Sequence, residues 1–201
     1  MAGGNPPGFF GDVVIDGGTL ARAQAFPPNP VGLQAKAGQT TGTADALGNQ
    51  VLSFARDKIG QRVGNGECFD LADQALRNAG AKSAAHFGTV TPNANYVWGR
   101  RVSLAETRPG DIIQFRNYRY DRTIKTSTTI DTDFQERPHH TAIVETVDGA
   151  GAITVLEQNV PEGDPGQRIQ LFFSNGTTTS GGRTTTIKVT GSFWFYRAQP
   201  R

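Results

Sequence analysis

The stretch GNGECFDLADQALRNAG, residues 64–80, joins a glycine-bounded turn to a predicted helix that begins near the chain's single cysteine, Cys68. Apolar residues recur through it at helical spacing, and Gly80 follows them as a C-terminal cap. The apolar stripe consists of Leu71, Ala72, Ala75, Leu76 and Ala79. Cys68 precedes the first two of these by three and four positions, so we expect it in the first turn on the buried face. The same periodicity from Thr43 to Ile59, followed by Gly60, predicts an earlier helix.

After residue 110, short runs of β-type composition replace the helical pattern. They lie at residues 112–115, 141–147, 153–157, 168–173, 184–189 and 193–196. Dipeptides typical of tight turns separate several of them, including Asp148-Gly149 and Gly181-Gly182. Helices first and strands afterwards predict an α+β fold, with the N-terminal helices packed on an antiparallel β-sheet.

Three segments depart from this pattern. Residues 1–42 are rich in glycine and proline and predict an irregular arm ahead of one folded domain, residues 43–201. Residues 118–138 are polar and threonine-rich, and we interpret them as an insertion, with a hairpin near the functional site as its expected form. The Arg- and Tyr-rich residues 116–122 are interpreted as a solvated loop.

The composition excludes several classes of protein. The net charge is +2 with both signs interspersed, so no nucleic-acid partner is expected, and a single cysteine excludes an intramolecular disulfide. No apolar run has the length of a membrane span, and the N-terminus lacks signal-peptide features. Localisation stays open, since the chain either is not exported by that route or begins after a removed signal. No phosphate-cradling motif occurs and the histidines lack metal-ligand spacing, so neither cofactor nor metal is expected.

Cys68 is a candidate nucleophile because of where it stands. A thiol reacts as thiolate, which a helix N-terminus favours through its unpaired N–H groups and its dipole. The glycines before Cys68 let a substrate backbone approach closely, and the same N–H groups suit the oxyanion of a tetrahedral intermediate. A lone cysteine is more often a small core residue, so this interpretation requires a base and an orienting group elsewhere.

Three histidines are candidates for the base. His86 follows the second predicted helix and is interpreted as a surface or structural residue. His139 and His140 begin the run at residue 141. Adjacent strand residues point to opposite faces, so only one of this pair can face Cys68, and alternation does not decide which one.

An orienting group is expected at the end of the next run. Glu157 and Asn159 share a face with Ile153 and Val155, the expected core side. A carboxylate in that position is costly unless it is paired, and a histidine is a suitable partner; an edge position beyond the sheet is the alternative. The turn at Asp148-Gly149 makes the two runs a hairpin and brings the histidine pair close to Glu157.

This ordered set resembles the CHAP/NlpC-P60 superfamily of papain-like cysteine amidases and peptidases. The matching motifs are Gly66-Glu67-Cys68, residues 108–115 (RPGDIIQF), residues 140–144 (HTAIV) and Glu157-Gln158-Asn159. In outline the resemblance spans residues 43–197, and its Glu-x-Asn ending is closer to the CHAP branch. The arm before Thr43 and the insertion before His139 depart from the family pattern.

The resemblance implies a role for each motif residue. Cys68 is the nucleophile, His140 the base, Glu157 the group that orients the imidazole, and Asn159 an assisting fourth residue. The implied substrate is a peptide, usually the stem peptide of bacterial peptidoglycan, cleaved by an amidase or endopeptidase. The alternatives are a papain-like hydrolase of another amide or protein substrate, and a non-catalytic binding module on the same fold. Trp98 is interpreted as a core residue, with a place in the groove wall as its alternative.

Overall fold

The computed structural model describes residues 39–201, so most of the predicted arm lies outside the described residues. Helix α1 spans Gln39–Asp57 and helix α2 spans Cys68–Asn78. Two short 3-10 helices, Ala84–His86 and Leu104–Glu106, lie in the connections. The strands are β1 (Arg100–Val102), β2 (Ile112–Lys125), β3 (Ile130–Gly149), β4 (Ala152–Glu157), β5 (Gln167–Phe172), β6 (Gly176–Ser180) and β7 (Arg183–Arg197). None of the described helices is long and apolar enough to cross a membrane.

Helix α2 follows the predicted periodicity throughout, whereas α1 ends at Asp57, so that Ile59 at the end of its predicted stripe lies outside the helix and is 40% exposed. Helix α1 begins at Gln39, ahead of the predicted start near Thr43. Helix α2 ends as predicted, because Gly80 takes a left-handed φ of 69° and Ala81 N–H then donates to the carbonyl of Leu76 at 2.9 Å. The predicted apolar stripe is buried over its whole length: Leu71, Ala72, Ala75, Leu76 and Ala79.

The described strands form one antiparallel sheet with helices on one face, which confirms the predicted α+β fold. The strand order is β1-β7-β2-β3-β4-β5, and β6 pairs with the N-terminal half of β7. Alternation along β2 and β3 separates two apolar cores. Ile112 and Ile143 pack against the helices, whereas Ile113 and Val144 face the opposite cluster with Phe115.

The interpretation of residues 116–122 as a solvated loop is wrong, because they lie within β2. Strands β2 and β3 continue through residues 118–138 as one long hairpin, and β7 pairs along its other side. Cross-strand ion pairs explain how such a polar sequence stays in strands. Arg122 pairs with Asp133 at 2.6 Å and Arg119 with Glu136 at 3.3 Å.

Two predicted runs near the C-terminus, residues 184–189 and 193–196, form a single strand, β7. The two short strands β1 and β6 were not predicted. Strand β6 is a run of Thr and Ser after Gly176, and all five of its residues are exposed, so no apolar alternation marks it in the sequence.

A bulge interrupts the middle of the hairpin. Asn117 has a φ of 51°, and the β2–β7 register shifts between Arg116 and Arg119. Gly191 on β7 allows this close approach, since a Cβ there would overlap the carbonyl oxygen of Asn117. As a result Phe115 and Tyr118, three positions apart, face the same core.

Candidate active site

Cys68 is the first residue of α2, and the turn before it is fixed by a residue of the helix itself. The Asp70 carboxylate accepts from the backbone N–H of Asn65 at 2.7 Å and of Glu67 at 3.4 Å. Gly64, at a φ of 61°, leaves the space that the Asp70 side chain fills. The thiol of Cys68 is thus placed at a helix N-terminus, on a residue that is partly buried.

Gln158 ties this turn to the end of β4. Its side chain is fully buried and makes three hydrogen bonds to the turn. Oε1 accepts from Val63 N–H at 3.0 Å, and Nε2 donates to the carbonyls of Val63 at 3.0 Å and Glu67 at 2.5 Å. Because Gln158 directly follows Glu157, the strand end with the carboxylate and the turn with the cysteine are held in one arrangement.

His140 lies between the cysteine and the carboxylate. Its Nε2 donates to Oε2 of Glu157 at 3.0 Å, and both side chains are buried. The other ring nitrogen, Nδ1, is the one left for the hydrogen bond between His140 and Cys68. The backbone N–H of Thr141 also donates to the Cys68 sulfur. The three predicted residues Cys68, His140 and Glu157 therefore form one continuous hydrogen-bonded chain.

The electrostatics of this chain favour a thiolate–imidazolium pair. Burial raises the pKa of the Cys68 thiol, but the hydrogen bond and charge of His140 outweigh burial and leave that pKa below the ordinary value. Burial lowers the pKa of His140, yet its bonds to Cys68 and Glu157 raise it to about 9. Burial alone would raise the pKa of Glu157, and the contacts with His140 and Arg137 instead lower it to about 2.

The other candidates lie elsewhere. His139 Nε2 contacts the carbonyl of Ala94 at 2.7 Å, and its ring lies 5.6 Å from that of Tyr96. Asn159 is not brought to His140, because its side chain donates to the Glu67 carboxylate at 3.2 Å. In addition, His86 is bonded to Ser83 within a 3-10 turn, and Trp98 is fully buried with its N–H on Gln114.

Arg137 is a buried residue of the site that sequence reasoning missed. Its Nε donates to Glu157 Oε2 at 2.9 Å and its Nη2 to Oε1 at 2.5 Å. Strict alternation along β3 would put residues 137 and 140 on opposite faces, so the sequence pattern did not predict Arg137 beside His140. The bulge at Asn117 lies across the hairpin from Pro138, and at this point the alternation fails. The interrupting Pro138 between Arg137 and His139 was the available signal.

An aromatic group flanks the cysteine. The ring of Phe69 lies 5.0 Å from that of Tyr96 and 5.1 Å from that of Trp98. Arg116 holds the neighbouring loop, since its Nε donates to Asn95 at 2.8 Å. These rings form an aromatic cluster next to Cys68 in the sequence, and Tyr96 is near enough to Cys68 for the two groups to interact electrostatically.

Comparison with known proteins identifies the family. A family model described as the AIM3/BBC1 cysteine proteinase-fold domain matches residues 22–171, a range that includes Cys68, His140 and Glu157. The protein "Altered inheritance of mitochondria protein 3" of Debaryomyces hansenii is 33% identical over 126 residues, 57% of this chain. The chain spans only 13% of the length of that relative.

Two solved structures are similar to parts of this chain. They are crystal structures of Ly7917, one of them with the hydrolyzing product of MDP, and both are 21% identical with a TM-score of 0.40. They cover 69% and 75% of this chain, and the chain covers 61% and 82% of theirs.

The predicted papain-like fold is confirmed at the level of the cysteine proteinase fold, and the matching model does not single out the CHAP/NlpC-P60 superfamily. The match spans most of the chain and includes all three residues of the hydrogen-bonded chain described above. The chain therefore belongs to the AIM3/BBC1 cysteine proteinase-fold domain family.

Proposed function

We propose that this chain is a cysteine hydrolase that cleaves amide C–N bonds through Cys68, His140 and Glu157. The observation that carries the proposal is the continuous buried contact from the thiol through the imidazole to the carboxylate, with the Glu157–His140 bond at 3.0 Å. A structural cysteine has no need of an imidazole whose second nitrogen is bonded to a buried carboxylate. A nucleophilic cysteine needs both groups.

The reaction proceeds by acyl transfer. The Cys68 thiolate attacks the substrate carbonyl carbon and forms a C–S bond, while the backbone N–H of Cys68 stabilises the oxyanion. Collapse of this intermediate breaks the C–N bond, and the leaving nitrogen takes the proton from Nδ1 of His140. Water then attacks the thioester and gives its proton to His140, and Cys68 leaves as thiolate with release of the carboxylic acid. Glu157 keeps the imidazole in one tautomer throughout.

The substrate we propose is a peptide or protein amide. The partly buried Cys68 beside the Phe69–Tyr96 rings suits an extended chain that lies across the N-terminus of α2. The narrower expectation from sequence, a peptidoglycan amidase or endopeptidase, remains a proposal for the same site. Digestion of purified peptidoglycan beside a panel of labelled peptides and protein-derived isopeptides distinguishes the two substrate classes.

A non-catalytic binding module is the second candidate. The observation that favours it is that the matched segment is 13% of the long relative from Debaryomyces hansenii, as expected of one module among several. The two candidates differ in one measurable property, the reactivity of Cys68, because a module that only binds has no use for a thiolate.

The rate of Cys68 alkylation by iodoacetamide, measured across pH, tests the proposal. We expect the thiol to titrate below the ordinary value of roughly 8.5, and we expect His140→Ala to abolish that shift. His139→Ala is the matched control and should leave the profile unchanged, because His139 contacts Ala94 and not the thiol. Ordinary titration in the wild-type protein would refute the proposed chemistry and favour the binding module. Loss of the shift in His139→Ala alone would assign the base to the other histidine.

A further inference from the structure

The carboxylate of the proposed site has a second buried partner. Glu157 is 0% and Arg137 1% exposed, and the guanidinium contacts both carboxylate oxygens in a fork. Oε2 accepts from Arg137 and His140 together, which leaves it one possible orientation.

The fork is itself anchored. Arg137 Nη1 donates to the backbone carbonyl of Glu136 at 2.7 Å and to the Gln135 side chain at 3.2 Å. All three nitrogens of the guanidinium thus have acceptors, although its charge is buried. A buried ion that is held this completely is suited to fixing another group in place.

The charges along the site alternate in sign. Thiolate, imidazolium, carboxylate and guanidinium follow one another from Cys68 to Arg137, so the buried set is neutral as a whole. The other titratable groups that interact with it are Glu67 and Tyr96 near Cys68, and Tyr118 and Tyr120 near Arg137. Without the guanidinium, the same set would carry a net negative charge in a buried place.

We propose that Arg137 is a positioning residue of the active site, which keeps Glu157 ionised and aimed at His140 so that the Cys68–His140 ion pair can form. The inference rests on the proposed function, since it assigns Arg137 a role in that chemistry. Arg137 touches neither the thiol nor a substrate, and it acts through Glu157.

The alkylation profile of Cys68 in Arg137→Met tests this role without any substrate. In this variant Glu157 keeps only His140 as a cationic partner, and we expect the thiol pKa to rise. The alkylation rate follows the thiolate fraction, so a rise of one pKa unit slows alkylation by about tenfold at a pH below the thiol pKa of both proteins. Arg137→Lys retains the charge but replaces the two-nitrogen fork with a single ammonium nitrogen, and we expect its alkylation profile to lie between those of the wild type and Arg137→Met.

Arg197→Met is the matched control. Arg197 forms a similar buried fork on Asp111, with contacts at 3.1 and 2.9 Å, but no histidine adjoins it. We expect this variant to lose stability and to keep the wild-type alkylation profile.

The alkylation profiles test the proposed function and the role of Arg137 separately. Ordinary thiol titration in the wild-type protein overturns the proposed function and the role of Arg137 with it. A lowered wild-type thiol pKa that persists in Arg137→Met, or falls further there, overturns the role of Arg137 alone. If Arg137→Met does not fold, Arg137→Lys decides, because a wild-type profile and wild-type turnover in that variant would show that the fork is not needed.

Discussion

Two arginine–carboxylate forks lie buried among residues 45–201, and they differ in what else the carboxylate touches. Glu157 accepts from Arg137 and His140, whereas Asp111 accepts from Arg197 and a backbone N–H. Burial raises the pKa of Asp111 despite its arginine, but the pKa of Glu157 falls to about 2. One guanidinium thus fails to offset the burial of a carboxylate, and a guanidinium together with an imidazolium succeeds. The Arg137–Glu157 fork suits a catalytic site, and the Arg197–Asp111 fork suits a structural role that stabilises the turn before β2.

The largest expected difference between the proposed active site and the Arg197–Asp111 fork comes from comparing Cys68→Ala with Arg197→Met. Removal of the nucleophile should reduce amide hydrolysis by about 10⁴-fold or more and leave the melting temperature near that of the wild type, because Cys68 is small and only partly buried. Arg197→Met should do the opposite, since it leaves Asp111 without its buried partner. Hydrolysis of a labelled peptide and thermal unfolding measure both effects. Residual turnover in Cys68→Ala would place the chemistry elsewhere.

Gln158→Leu tests whether the turn must be held against β4. Leucine has a similar volume but leaves the N–H of Val63 and the carbonyls of Val63 and Glu67 without their partner. Each unsatisfied buried group costs about 1–3 kcal/mol, so unfolding should require less denaturant. Displacement of Cys68 from His140 should also lower kcat by about tenfold to a hundredfold.

The control for Gln158→Leu is the choice of a temperature at which the variant is still folded. Turnover is compared where both proteins are fully folded by circular dichroism, so that lost stability does not mimic lost catalysis. A kcat equal to that of the wild type under these conditions would limit Gln158 to a structural role.

The sequence predicted the parts of this molecule that depend on local pattern. The stripe of α2 and the hairpin between β3 and β4 were visible because a helix repeats every 3.6 residues and a hairpin needs a tight turn. The turn itself lies at residues 150–151, two positions after the predicted Asp148-Gly149, which belong to β3. Alternation, however, left His139 and His140 undecided, since both faces of β3 carry apolar residues. The choice of His140 came from the motif resemblance, and only the packing of α2 on the sheet brings Cys68 to it.

The sequence could not predict what depends on a break in alternation. Arg137 and His140 reach the same carboxylate because the hairpin is irregular at Asn117 and Pro138. Pro138 signals an irregularity in the strand, but it does not show which side chains that irregularity brings to one face. Polar residues 118–138 likewise stay in strands through cross-strand pairing, which a single-strand pattern does not contain. The position of Asn159 was also beyond reach, since its φ of 69° turns the chain away from the face of Glu157.

The smallest expected effect concerns acid unfolding. Glu157 and Asp111 contribute to the stability of the fold with opposite dependence on pH. Glu157 has a pKa of about 2 in the fold against 4.5 ordinarily, so it stabilises the protein above pH 4.5, and this contribution is lost as the pH falls towards 2. The pKa of Asp111 is raised above its ordinary value of 3.8. Its contribution to the stability of the fold is therefore fully present below pH 3.8 and is lost as the pH rises. We therefore expect Glu157→Gln to flatten the fall in melting temperature between pH 4.5 and 2, and Asp111→Asn to leave that fall in place. Equal slopes in the two variants would mean that the imidazolium does not distinguish the two carboxylates, and the contrast between a catalytic fork and a structural one would then have no electrostatic basis.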